Sequence, residues 1–97
     1  GLTCDGTWGF NRYTSSNGTE TILEYTESDV INPTDQPNRI GVLANGSHFE
    51  FYINGVKVGE ADDSTYLDAG TYGFVTMSAG TVNFKTSVDS LKYWVLP

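Results

Sequence analysis

Apolar and polar residues alternate with a period of two along most of this chain, and no window carries an apolar stripe of period 3.6 for two turns. The sharpest run is His48-Phe49-Glu50-Phe51-Tyr52-Ile53, with Phe49, Phe51 and Ile53 on one face and His48, Glu50 and Tyr52 on the other. Asn54-Gly55 follows, then Val56-Lys57-Val58. An Asn-Gly pair between alternating runs predicts a two-residue hairpin turn, because both central positions need positive φ. A second pair, Asn45-Gly46, stands between this hairpin and the alternation of Ile40, Val42 and Ala44. Residues 38–61 therefore read as a three-stranded meander with two tight turns.

Upstream, residues 7–14 alternate Trp8, Phe10 and Arg12 with Gly9, Asn11 and Tyr13. The turn signal Ser15-Ser16-Asn17-Gly18 leads into residues 19–26, where Thr21, Leu23 and Tyr25 alternate with Ile22 and Glu24. Residues 27–37 have two prolines and no periodicity, the pattern of a loop. Downstream, 61–69 is polar and acidic with Tyr66-Leu67 as an anchor. Strands are predicted over 70–78, 81–85 and 90–96, the last with Leu91, Tyr93 and Val95 opposite Trp94. Seven or eight short strands at near-regular spacing predict an all-β fold, an antiparallel sandwich, formed by residues 1–97 as one domain or as the C-terminal part of a larger one.

Composition narrows the partners. Twelve acidic against five basic residues give a formal charge of −7. The basic residues, spread from Arg12 to Lys92, form no cluster that would neutralise phosphates, which argues against nucleic acid and anionic membrane surfaces. Apolar runs last only a few residues, far short of the ~20 that a membrane-spanning helix needs. With 13% aromatic and 18% charged residues the chain has the apolar mass to collapse, which argues against disorder. The single Cys4 makes no intramolecular disulfide and no CxxC metal site, and is expected as a buried thiol on a strand. The sequons at Asn17 and Asn45 coincide with turn signals and are read as turns. The first residue is Gly1, consistent with a leader or a longer segment removed before it.

The stretch Asn38-Arg39-Ile40-Gly41-Val42, then Gly46, then Phe49-Glu50-Phe51-Tyr52-Ile53-Asn54-Gly55-Val56-Lys57-Val58 resembles a recurring stretch of concanavalin A-like lectin/glucanase sandwiches. Its continuation also fits, with Asp62-Asp63-Ser64, Gly70, Gly73-Phe74, Val82, Phe84, Val88-Asp89 and Leu91. The pattern is most similar to laminin-G-like and glycoside-hydrolase-16-like modules of bacterial extracellular and surface proteins. The resemblance covers mainly residues 38–95 and implies a jelly-roll sandwich at the cell surface or outside the cell. Such sandwiches are longer than 97 residues, so the resemblance implies a rear portion of one. Its unpaired sheet edge would join a second copy in a homodimer, or take an N-terminal segment supplied separately.

Catalytic members of that superfamily place two carboxylates on one strand, as glycosidase chemistry demands. This chain has no such pair where the resemblance puts it; Glu20 and Glu24 share a parity but lie elsewhere. The expectation is a non-catalytic binding module, foremost for glycans. The alternative is a structural or adhesive module that docks to a protein partner, with a glycoside hydrolase fragment the least supported reading. His48, Glu50 and Tyr52 form either a sugar-contacting face or the polar cover of a half-exposed strand. Trp94 is the first candidate for an exposed stacking ring, completing the ligand-binding set. No metal site is assigned, since one His makes neither a triad nor a zinc site. Calcium is the one cofactor left open, at Asp62, Asp63, Ser64 and Asp68, although their spacing is that of a solvated acidic loop and not an EF-hand.

Overall fold

Five strands follow one another in chain order: β1 (Thr7–Thr14), β2 (Gly18–Glu27), β3 (Ile40–Asn45), β4 (His48–Ile53) and β5 (Val56–Asp62). The computed structural model describes residues 1–33, 36–66, 85–88 and 90–95. The chain divides into two compact units, Gly1–Leu67 and Asp68–Pro97, and all five strands belong to the first. The fold is all-β, with no helix among the described residues. Its antiparallel sheets, β1-β2 and β3-β4-β5, make a partial β-sandwich.

The predicted meander is present, and its two turns differ in kind. Asn54 and Gly55 both take positive φ, +52° and +83°, as a two-residue I′ turn requires. In the earlier turn the two connecting residues are Gly46 and Ser47, and only Gly46 has positive φ. That is the pattern of a II′ turn, whose first central position is reserved for glycine. Asn45 is therefore the last residue of β3, one step earlier than an Asn-Gly turn would place it.

The apolar face of the meander carries the core. Ile40, Val42 and Ala44 of β3 stand opposite Ile53, Phe51 and Phe49 of β4. Ile53 and Phe51 are the buried pair, 3% and 7% exposed. The β1 rings lie over this face: Phe10 sits 4.7 Å from Phe51 and 5.2 Å from Phe49 between centroids, and Trp8 5.5 Å from Phe51. All three pairs are tilted, a favourable arrangement for ring quadrupoles. Gly59 of β5 leaves room for the indole, since a Cβ there would come within 2.7 Å of Trp8. The cover stops short of β3, where Ile40 and Val42 remain 59% and 58% exposed.

Three register shifts, two in the β1-β2 pair and one in the β4-β5 pair, redirect what simple alternation predicts. In β2 the register slips on both sides of Leu23, which pairs with Phe10, while Thr21 pairs with Asn11 and Thr26 with Trp8. Leu23 thus faces the core, within 4.0 Å of a Cβ built on Gly59, whereas Tyr25 covers Gly9. Thr21, Leu23 and Tyr25 do not share a face as expected, because an inserted residue reverses parity. In β5 the tight turn sets Ile53 opposite Val56 and Tyr52 opposite Lys57, after which a bulge moves Phe51 opposite Gly59. Without that extra residue, Glu60 would face the aromatic core.

The loop after β2 is tied to the hairpin turn by one side chain. Asn54 donates through Nδ2 to Val30 O at 2.7 Å and to Asn38 Oδ1 at 2.8 Å, and its Oδ1 accepts from Arg39 N at 2.8 Å. Asn38 Oδ1 also accepts from Asn32 N at 2.8 Å, closing the loop on itself.

Cys4 is exposed, contrary to the expectation of a buried strand thiol. It occupies a turn in which Gly6 N donates to Thr3 O at 3.2 Å and Gly6 takes φ +82°, so the chain reverses at Cys4-Asp5 before β1 can start. In the second unit, described residues 85–88 and 90–95 belong to no strand. Leu91, Tyr93 and Val95 are exposed along with Trp94, so the alternation expected there has no buried side. The strands expected over 70–78 and nearly all of 81–85, and Leu67 of the anchor, lie outside the described residues. Tyr66 is described and donates through its hydroxyl to Tyr13 O at 3.0 Å.

Candidate functional site

The polar face of the β4-β5 hairpin gathers the densest titratable cluster among the described residues. Register places His48 opposite Asp62, Glu50 opposite Glu60 and Tyr52 opposite Lys57. The three sequence-predicted residues on β4 do share this face, and Tyr52 donates to Glu50 Oε1 at 3.4 Å. Lys57, Glu60 and Asp62 complete the cluster; the sequence did not join them to it, and Asp62 was weighed there only for calcium. The signal that finds them is a charged residue on the wrong parity after a tight turn. Counting out from Asn54-Gly55 puts Glu60 against the aromatic face, a burial so costly that a bulge is required.

The cluster is a chain of charges. Lys57 Nζ lies 2.8 Å from Glu50 Oε1 and 2.9 Å from Glu60 Oε2. His48 Nδ1 lies 3.0 Å from Asp62 Oδ1, and His48 Nε2 lies 3.3 Å from Glu60 Oε2. Hydrogen bonds from Lys57 hold Glu50 and Glu60 below the usual carboxylate range and raise Lys57 itself. The hydrogen bond to Asp62, reinforced by the charges of Asp62, Glu60 and Glu50, raises His48 above its ordinary value. Three carboxylates face one ammonium, so two negative charges remain uncompensated while the imidazole is neutral.

A second polar group sits at the far end of β1. Arg12 pairs with Glu20 and, at 2.8 Å, with Asp63. Arg12 draws Glu20 down, while Asp63 is lowered first by the Thr65 backbone N–H and then by Arg12. Asp62 and Asp63 therefore turn to different partners, His48 and Arg12. β5 ends at Asp62, and the two neighbouring carboxylates do not converge on one point. Asp68 lies outside the described residues. Trp94 is exposed as expected, at 79%, and belongs to the second unit.

No helix among the described residues is long and apolar enough to cross a membrane, which leaves β-strand spans aside. No family model matches the chain, and no solved structure matches it. One curated protein with a matching segment is vignain of Ricinus communis, a cysteine protease, 30% identical over 95 residues. The match takes in 97% of this chain but only 24% of vignain. It overturns the expectation of a carbohydrate-binding module: the similarity found is to part of a protease, and nothing in it points to glycans. What is established is the fold alone, a partial antiparallel β-sandwich, and it rests on the sheets themselves.

Proposed function

We propose that this chain acts without catalysis as an assembly element, pairing with a second copy of itself along β3. The observation that carries this reading is the exposure of Ile40 and Val42, 59% and 58%, on the same sheet face as the buried Phe51 and Ile53. Among the described residues β3 is hydrogen-bonded on one side only, to β4. Its sequence, Ile-Gly-Val-Leu-Ala-Asn, has none of the charges or prolines that protect a free edge from pairing.

Antiparallel β3-β3 pairing about a two-fold axis would use the same surface on both copies and extend the sheet continuously. It would bring two apolar strips side by side. Four partly exposed Ile and Val side chains contribute roughly 4–6 kcal/mol when covered. Loss of translational and rotational freedom costs about 4–15 kcal/mol, so apolar cover alone does not hold the pair and the backbone ladder decides the outcome. The non-enzymatic part of the reading is supported by the polar groups: Cys4 sits at a turn, His48 is engaged by Asp62 and Glu60, and Arg12 by Glu20 and Asp63.

The test is mass in solution as a function of concentration, with Val42→Lys as the comparison. Val42 is exposed, so the substitution spares the core while placing a charge on the pairing edge. A dimer that Val42→Lys abolishes supports the reading. A parent protein that stays monomeric throughout the micromolar range ends it.

A further inference from the structure

We propose that Asn45 is a modification site, which loses its side-chain amide by intramolecular attack of Gly46 N, while the fold protects the same dipeptide at Asn54. The chain holds three Asn-Gly pairs, Asn17-Gly18, Asn45-Gly46 and Asn54-Gly55. Glycine has no Cβ to obstruct the approach of its own nitrogen to the preceding side chain, so this dipeptide favours the reaction. Sequence gives the three pairs equal standing. The fold does not.

Attack requires the amide to turn until its Cγ meets the next backbone nitrogen. At Asn54 three hydrogen bonds oppose that rotation. Nδ2 donates to Val30 O at 2.7 Å and to Asn38 Oδ1 at 2.8 Å, and Oδ1 accepts from Arg39 N at 2.8 Å. Breaking them first slows the reaction on the order of 30-fold, the rate equivalent of about 2 kcal/mol. Asn17 is held more loosely: its side chain donates to Glu20, and Gly18 is paired with Thr14 at the start of β2. Asn45 and Gly46 are both exposed. Among the described residues no hydrogen bond holds the Asn45 side chain or Gly46 N. The pairing of Asn45 with His48 is the last rung of the β3-β4 ladder, where opening costs least.

The chemistry needs only water. Gly46 N gives up its proton and bonds to Asn45 Cγ. The Cγ–Nδ2 bond breaks, and Nδ2 leaves with that proton as ammonia, closing a succinimide ring. Water then opens the ring at either carbonyl. Attack at Cγ restores the original backbone with an aspartate side chain. Attack at the main-chain carbonyl carbon gives isoaspartate, whose chain runs through Cβ and Cγ. Nothing is oxidised or reduced: one water enters and one ammonia leaves. Either product places a negative charge at the end of β3 opposite His48, and isoaspartate lengthens the backbone where the two strands meet.

The experiment is incubation of the full chain in mildly alkaline buffer made with heavy-oxygen water, at a concentration where it sediments as a single chain. Samples taken over time are digested and mapped by tandem mass spectrometry. Uptake of heavy oxygen times each asparagine, and fragmentation separates aspartate from isoaspartate. The expected result is that Asn45 converts first, to a mixture of both products, with Asn54 trailing on the order of 30-fold. In urea the three pairs should react at similar rates, because only the fold distinguishes them. Asn38→Ala removes one acceptor of the Asn54 amide and should speed Asn54 several-fold while leaving Asn45 unchanged. Asn45 converting no faster than Asn54, Asn17 leading in the folded chain, or a ranking that persists in urea overturns the proposal. So does an Asn38→Ala chain in which Asn54 reacts as slowly as before. If Asn38→Ala fails to fold, the folded and urea arms of the parent chain still decide the matter.

Discussion

Asn54 performs two separable tasks, and a pair of substitutions measures each. Its backbone sits at φ +52°, a region open to glycine and, through the local hydrogen bonds of its side chain, to asparagine, but disfavoured for alanine by about 1–2 kcal/mol. Its amide makes three hydrogen bonds, to Val30 O, Asn38 Oδ1 and Arg39 N. Each is worth about 0.5–1.5 kcal/mol, and their partial exposure puts the total near 2 kcal/mol. Asn54→Gly keeps the conformation and loses the amide, so it should destabilise the first unit by about 2 kcal/mol. Asn54→Ala loses both and should cost about 3–4 kcal/mol. Urea unfolding followed by tryptophan fluorescence reads this unit well. Trp8 packs on Phe51, whereas Trp94 is 79% exposed and changes little on unfolding. Equal destabilisation by the two variants would refute the backbone term. A loss below about 0.5 kcal/mol in Asn54→Gly would refute the claim that the amide ties the loop to the turn.

Three further expectations follow from the packing and the charges. Phe51, 7% exposed and in contact with Trp8 and Phe10, should cost about 3–5 kcal/mol as Phe51→Ala in the same unfolding assay. The His48 pKa, raised by Asp62 and its neighbours, should be found above the ordinary imidazole value by NMR titration. By linkage, the stability that protonated His48 contributes is fully present below the unfolded value and fades as pH rises through the folded one. Asp62→Asn should bring that pKa down and flatten the dependence. Association through β3 should strengthen with added salt, since two chains of charge −7 repel while the pairing edge itself carries no charge.

The strands and the meander were legible because period-two alternation and Asn-Gly turns are local signals, and residues 48–55 carry both. The site was legible only by half. His48, Glu50 and Tyr52 share a strand, so alternation alone groups them. Glu60 and Asp62 reach the same face only through the bulge that sets Phe51 opposite Gly59. A bulge is invisible to a count of two, and the same blindness misplaced Thr21 and Tyr25 relative to Leu23. Cys4 was misread because composition makes a thiol look buried, while the turn closed by Gly6 decides its place. The glycan expectation failed for a different reason. The matched residues were those of a hairpin and a core, which many functions share.

Sedimentation equilibrium across the micromolar range tests the central claim most directly. The account predicts a reversible shift from 10.6 kDa toward twice that mass, displaced to higher concentration or lost in Val42→Lys. A single species of 10.6 kDa at every concentration, or a dimer indifferent to Val42→Lys, would contradict it.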